Sequence, residues 1–558
     1  MVYVTNVKDD VLPVDYKQMK ALNAIACAPE VDEFQTDLTG KFIRLMPGWG
    51  DHSYTISTES DSAQIYFNQG LTMYYSYHSR EAVASFREAA RFDNTNAMLY
   101  WAQALAMGPS FNFGYSYKMR PAIPDILKKM NLYADKASSK EQDLIFAMNT
   151  RYNAADTADK DRKALNVAYA AAMKPLVSKY AGDVDIKALY TDAVMLIHSW
   201  DFWNNDGTPK SWTPELVKYC EDILAKDPQH PAALHYYIHV TEASRKPEVA
   251  LASADSLIKL FPGVAHMVHM SSHEYERIGY YSKGVIANEK ADESLVLYDS
   301  LAKGLFPFVH VPHYYAVEAY CALSGAMYKK SMQKTMKCRN SVKPVKDNHY
   351  EQYLFMFPQL AMVRMGRWQD ILNDTTSVSN EWQYAGILNN FAKGMAYAKS
   401  ARFTEAEKHL MHLREKKKDE GLKKKFDPHS SAPFDCASVA ENILLATICF
   451  HKKQYSKALA AIKTAISIED KLIYSEPKDW MLPARQYLGA FLLQQKKWHQ
   501  AEKIYREDLV WNPGNGWSMV GLYNALKAQK KTQELGNLQK KYMYSFSEAE
   551  VVPVNSTY

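Results

Sequence analysis

Cysteine is scarce in this chain, charge of one sign is not concentrated, and long apolar runs are missing. Six of the 558 residues are cysteine (Cys27, Cys220, Cys321, Cys338, Cys436 and Cys449). No two lie close enough to form a metal-type pair, and their scatter argues for reduced core thiols rather than a disulfide framework. No stretch of about 18 uninterrupted apolar residues occurs, so no membrane span is expected. Ala21 to Ala28 is apolar and follows Lys17 and Lys20, but it is short and Asn23 interrupts it, so it is not read as a signal peptide. The protein is expected to be soluble: cytoplasmic by default, exported if an upstream signal has been removed. A net charge of +5 over this length, with no long basic stripe, argues against a nucleic-acid partner. Motifs for phosphate cradling, dinucleotide binding or a nucleophile elbow are also lacking.

What the chain does have is apolar residues recurring at three and four almost throughout, with few runs of period two. The hydrophobic share of 47% and charged share of 23% are those of an ordinary folded protein. Aromatic residues are abundant at 13%, with 38 tyrosines, a residue that suits half-buried helix faces and groove walls. Four windows share one internal spacing: Tyr66, Gly70, Ala82, Phe86 and Ala89; Gly394, Ala406 and Leu413; Ala446, Ala458 and Ala465; and Gly489, Ala501, Tyr505 and Pro513. Small residues at these places let paired helices approach, and the aromatic ones fill the space between pairs. These residues resemble the tetratricopeptide repeat superfamily, which implies an all-α superhelix of stacked antiparallel helix pairs. The expected organisation is an N-terminal extension over residues 1–60 packing on the first repeats, a single solenoid over 61–545, and a tail over 546–558. Loop insertions are expected near 204–214 and 416–433, the second a lysine-rich solvated connection.

From Pro231 to Leu323 the chain carries seven of its 17 histidines. His235, His239 and Glu242 sit at i, i+4 and i+7, one face of a helix. His269, His273 and Glu276 repeat that spacing, and 269 − 235 = 34, one repeat length. Aligning Pro231–Pro262 with Ala265–Val296 at this offset leaves three identical pairs, and they are these two histidines and the glutamate. Polar positions agree where packing positions have diverged, the reverse of a purely structural repeat. The tetratricopeptide resemblance implies that these places line the concave groove.

Imidazole and carboxylate together suit a divalent transition metal such as Zn, Cu, Fe, Mn or Ni. Long side chains from adjacent helices would meet in one shared site or a two-metal site. His266, one turn before His269, and His313, near the start of the next repeat, are further ligand candidates. Glu274, as a carboxylate orienting a ligand imidazole, and Arg277 are the candidate catalytic residues. Two metal-free readings stand beside this one: an acid/base or anion pocket using Arg277, and a scaffold that receives a peptide or protein segment in the groove. The leading reading is a metal-binding protein, extended to a metalloenzyme acting on a small molecule or peptide held in the groove. His310 is read as structural, and His409 and His412 as solvent-facing.

Near the C-terminus, Glu476, Trp480, Arg485 and Trp517 are candidates to close over the groove. The stretch Tyr474 to Arg485 resembles its counterpart in a group of bacterial tetratricopeptide proteins of undefined activity. That group also shows sequences like Tyr66-Phe-Asn-Gln-Gly70, His235-Tyr-Tyr-Ile-His239 and His266-Met-Val-His269. The group carries several histidines where this chain reads Asp51-His52-Ser53-Tyr54, so the resemblance makes His52 the remnant of that cluster.

Overall fold

The computed structural model describes residues 36–37, 39–112, 117–155, 158–302, 312–426 and 428–558. Among them are 25 α-helices and no strand, only an isolated bridge between Trp203 and Pro209. Consecutive helices pack on one another along the chain, as an all-helical solenoid requires.

One turn recurs, and local backbone chemistry explains it. Helices end at Tyr75, Arg277, Ser324, Arg364, Lys399, His451, Gln494 and Ala528. Two residues beyond each end, Tyr77, Gly279, Ala326, Gly366, Ala401, Lys453, Lys496 and Lys530 are left-handed, with φ between 56° and 81°. The amide after each reaches back five residues, as His78 does to the Met73 carbonyl at 2.9 Å and Lys497 to the Leu492 carbonyl at 2.9 Å. This closure satisfies an end carbonyl and reverses the chain into the second helix of the pair. The glycines of the sequence pattern serve the pairing. A Cβ at Gly70 would lie 2.5 Å from the Phe86 ring, and one at Gly489 would lie 2.3 Å from the Tyr505 ring.

Both ends return to the middle of the molecule. Trp49 of the N-terminal segment donates its indole N–H to the Gly263 carbonyl at 3.1 Å, and Gly263 in turn donates to the Gly48 carbonyl at 2.9 Å. At the other end, Trp517 donates to the Ser324 carbonyl at 2.9 Å. Gly279 and Gly514 pass so closely that a Cβ on Gly279 would meet the Gly514 carbonyl oxygen at 2.0 Å. The tail is docked: Ser556 is fully buried, shares a hydrogen bond with the Tyr505 hydroxyl at 2.7 Å and donates to the Gln486 carbonyl at 2.9 Å.

The helix Pro433–His451 is long and apolar enough to cross a membrane by length and composition alone, but 72% of its apolar window is buried inside the protein. Two long connections separate successive helices. The first ends where the helix Thr213–Lys226 begins, and Pro214 belongs to that helix's first turn. The second runs from Lys416 to the helix starting at Pro433 and contains a short 3-10 turn, Glu420–Lys423. Most of the N-terminal extension, residues 1–35, lies outside the described residues, as does His310.

The concave face differs from the expected open groove. The helix Asp61–Tyr75 packs directly on the helix Pro231–Thr241, some 160 positions later, and covers the histidines. His235, His239, His269 and His273 are each 2% exposed or less. At this level the inner face is a buried core with polar content.

Candidate metal centre

Three helices carry the six central histidines. Pro231–Thr241 opens on His230, whose ring caps it by accepting the Ala233 amide, with Pro231 in the first turn. Ala265–Arg277 follows the Pro262-Gly263 turn, and Pro312–Ser324 again starts on proline. Because His235/His239 and His269/His273 are one helical turn apart, each pair shares a face.

The helices are staggered, and the stagger decides the grouping. His235, His239 and His266 form one trio and His269, His273 and His313 another; in each, one ligand atom per residue lies within 4.8 Å of the others. Within the trios, Nε2 of His235 is 3.1 Å from Nε2 of His266, and Nε2 of His273 is 3.0 Å from Nε2 of His269. Two imidazole nitrogens bound to one ion at about 2.0–2.1 Å sit at about this separation. The trios adjoin: the His266 and His269 rings are 6.3 Å apart between centres.

Outer hydrogen bonds assign the tautomers. Nδ1 of His235 donates to the Tyr75 carbonyl at 2.7 Å, one of the carbonyls left over at the end of its helix. Nδ1 of His269 donates to Oδ1 of Asn288 at 2.6 Å, an oxygen fixed because the Asn288 amide nitrogen donates to Gly284. Glu242 takes one imidazole from each trio: Oε1 lies 3.0 Å from Nδ1 of His239, and Oε2 lies 3.1 Å from Nδ1 of His273. Glu476 adds a second carboxylate to Nδ1 of His273 at 2.8 Å. With the Nδ1 protons of His235, His239 and His269 so held, Nε2 of each of these rings presents a lone pair inward, while Nδ1 of His266 has no partner. Nε2 of His239 and both nitrogens of His313 are buried without any hydrogen-bond partner.

Burial sets the protonation. His235, His266 and His269 are held well below the usual histidine range by desolvation, reinforced by neighbouring imidazoles. Desolvation likewise pushes His239 and His313 down to about 3. Burial opposes the charged form of His273 too, but Glu476 and Glu242 outweigh it and push this ring up to about 10. Five of the six imidazoles are therefore neutral at pH 7, the form that binds a metal.

Aromatic rings wall the trios. Tyr77, in the left-handed turn position, lies 4.5 Å from the His235 ring, and Tyr314 stacks on His269 at 4.0 Å. Trp200, also left-handed, meets the His239 ring edge-on at 5.3 Å.

Several sequence expectations change in detail. Glu242 contacts imidazole Nδ1 atoms, and with His273 and Glu476 it forms a further group whose possible ligand atoms lie within 4.8 Å of one another. Glu276, its counterpart 34 residues on, belongs to neither trio, and burial raises its carboxyl. Glu274 touches no histidine; both its oxygens are buried without partners, and Glu242 and Glu476 do the orienting assigned to it. Arg277 is buried, donating Nε to the Glu242 carbonyl at 2.8 Å and Nη2 to the Ser244 carbonyl at 2.9 Å. Trp480 and Arg485 line a cavity beside the centre, whereas Trp517 is wholly buried under Arg364 and does not close over the site. His409 is half-buried and bonded to Asn390 at 2.8 Å; His412 is exposed as expected.

A further polar group went unread in the sequence. Oδ1 of Asp185 accepts from Nε2 of His52 at 2.9 Å and from the Tyr75 hydroxyl at 2.9 Å, with Nε2 of His230 at 3.4 Å. Tyr75 thereby joins this group to the His235 trio through its carbonyl. His52 had been noted near the start of the chain, but nothing in the spacing pointed to Asp185.

The paired helices and their repeated left-handed turn settle the architecture. The described residues form an all-helical solenoid of paired helices. Solved structures similar to it include the human IFIT1 dimer with m7Gppp-AAAA, at 10% identity and a TM-score of 0.31, covering 89% of this chain and 92% of that one. Yeast Tom70 is similar at 11% identity and a TM-score of 0.28, covering 87% and 92%. Ypp1 is similar at 12% identity and a TM-score of 0.35, covering 90% and 78%. Likenesses this distant say nothing about the site. No protein-family model and no curated protein sequence matches the chain.

Proposed function

We propose that this solenoid holds a dinuclear transition-metal centre, one ion in each histidine trio, and acts on a small molecule admitted from the adjoining cavity. The observation that carries the reading is the set of inward Nε2 atoms, with those of His239 and His313 buried and unpartnered. A buried polar atom without a partner costs about 1–3 kcal/mol, and this core keeps several together. Coordination would satisfy them all at once.

The donor set also bears on which ion fits. Six imidazoles with no carboxylate or thiolate among them suit copper, zinc, iron or nickel better than manganese. Five of the ligands are neutral, and His273 is held in its charged form by Glu476 and Glu242. Copper, which stands highest in the affinity order for such nitrogen donors, is the ion we favour, and a copper pair on imidazole supplies redox chemistry toward dioxygen when bound. The chain's own part is to fix the ring tautomers, keep five rings unprotonated and exclude bulk water.

The test is elemental analysis of purified, tag-free protein after reconstitution with each ion in turn. Two equivalents of copper are expected, falling to one in His235→Ala/His239→Ala, with a higher melting temperature on loading. Protein that takes up none of the ions, and melts at one temperature with or without them, would overturn the proposal.

A further inference from the structure

A cavity of about 530 Å³ lies between the loop around Trp203 and the C-terminal stretch Leu472–Trp480. This is within the range of small-molecule sites. It abuts the histidine centre at two points. Trp200 of its wall touches the His239 ring, and Arg277 of its wall is bonded to the Glu242 carbonyl. Tyr474, whose ring lies 5.2 Å from the Arg277 guanidinium, leads within two residues to Glu476.

The wall carries five cations, Lys210, Arg245, Arg277, Lys478 and Arg485, beside four aspartates and Glu469. Arg485 has a partner, a two-pronged pair with Asp470 at 2.5 and 2.8 Å. Arg245 has none. Its guanidinium lies 3.9 Å over the Trp511 ring, an indole that Arg485 also approaches at 5.1 Å. Nη2 of Arg245 donates to the Asn205 carbonyl and its Nε has no partner, while among the described residues no carboxylate lies within ion-pair distance. Lys478 is similar, bonding the Asn512 side-chain oxygen and no carboxylate. Burial lowers Arg245 to about 10, with repulsion from Arg277 adding to the effect, so its charge is held at a cost.

The wall's acids offset part of this charge: Asp201 pairs with Lys210 at 3.0 Å, and Asp470 and Asp508 act on Arg245 and Lys478 respectively. Asp470 is taken by Arg485, and Asp508 accepts from Ser518 and Asn512. Burial pushes Glu469 up to about 8, leaving it mostly uncharged at neutral pH. The remaining wall is flat and aromatic. Trp203 and Trp480 spend their N–H groups on the Val240 and Leu482 carbonyls, at 2.8 and 2.7 Å, so they offer ring surface rather than donors.

We infer that this cavity binds a small organic carboxylate with a flat apolar body, its carboxylate on Arg245 and Lys478 and its body among the tryptophans, beside the histidine trios. That the ligand is the substrate of the centre rests on the metal reading above; that it binds does not.

Titration calorimetry of the full chain with benzoate, with inorganic phosphate as comparison, tests this in metal-free and metal-loaded protein. Benzoate should bind both forms, and more tightly than phosphate. Arg245→Gln, at a half-exposed position, should weaken benzoate at least tenfold with metal content unchanged, and Lys478→Gln should do the same to a smaller extent. His235→Ala/His239→Ala should reduce metal and leave benzoate binding intact, which separates the two proposals. Absence of benzoate binding to the wild-type chain, tighter binding of phosphate, or unaltered binding by a folded Arg245→Gln protein would overturn the inference.

Discussion

Replacing Glu242 with glutamine puts the most strain on the account, because that one carboxylate serves both trios. Its two oxygens accept from Nδ1 of His239 at 3.0 Å and of His273 at 3.1 Å. A glutamine amide has one accepting oxygen, and its NH2 would face the N–H of the other imidazole. The two rings do not suffer alike. His273 keeps Glu476 at 2.8 Å, whereas Glu242 is the sole hydrogen-bond partner described for Nδ1 of His239. Losing an outer partner of a metal-bound histidine costs about 10–100-fold in affinity, or about 1.4–2.8 kcal/mol. That loss is assigned to the His235/His239/His266 trio, with less than about tenfold at the other. Chelator competition in single-trio backgrounds measures each site separately, His269→Ala leaving the first trio and His235→Ala the second. Equal losses at the two sites, or none at the first, would refute the role given to Glu242.

The fold makes its own predictions. Gly489→Ala places a methyl 2.3 Å from the Tyr505 ring and should lower stability by about 1–3 kcal/mol, read by urea unfolding. Gly279→Ala should be worse, since its φ is +81° and the methyl would meet a backbone carbonyl 2.0 Å away, with no flexible side chain to yield. Glu469 gives a pH dependence. Its ordinary pKa of 4.5 rises to about 8 in the fold through burial, so the folded state holds an extra proton between those values and stability falls as pH rises through that window. Glu469→Gln should flatten the dependence of melting temperature between pH 5 and 8, after allowance for water in the cavity, where this side chain is only half-buried.

Local spacing carried much of this into the sequence. His235/His239 and His269/His273 were legible because i, i+4 fixes a helical face, and Gly70 with Phe86 or Gly489 with Tyr505 because small and large residues recur one helix apart. His266, His313 and Glu476 were marked as candidates but not assigned to groups. Whether His266 joins His269 or His235 depends on the stagger between successive helices, a quantity no residue spacing encodes. Glu242 and Glu276 looked equivalent at 34 residues apart, yet only Glu242 faces the neighbouring helix's imidazole. Burial was the least legible property. It arises from Asp61–Tyr75 closing on Pro231–Thr241, a contact between distant segments, and the same closure brings Asp185 to His52.

X-ray absorption of copper-reconstituted protein addresses the central claim most directly. Two ions per chain with nitrogen-only first shells at about 2.0–2.1 Å, and one such ion left in His235→Ala/His239→Ala, are the predicted result. Shells containing carboxylate oxygen from Glu242 or Glu476, or a single ion whose loss follows from either trio alone, would contradict it.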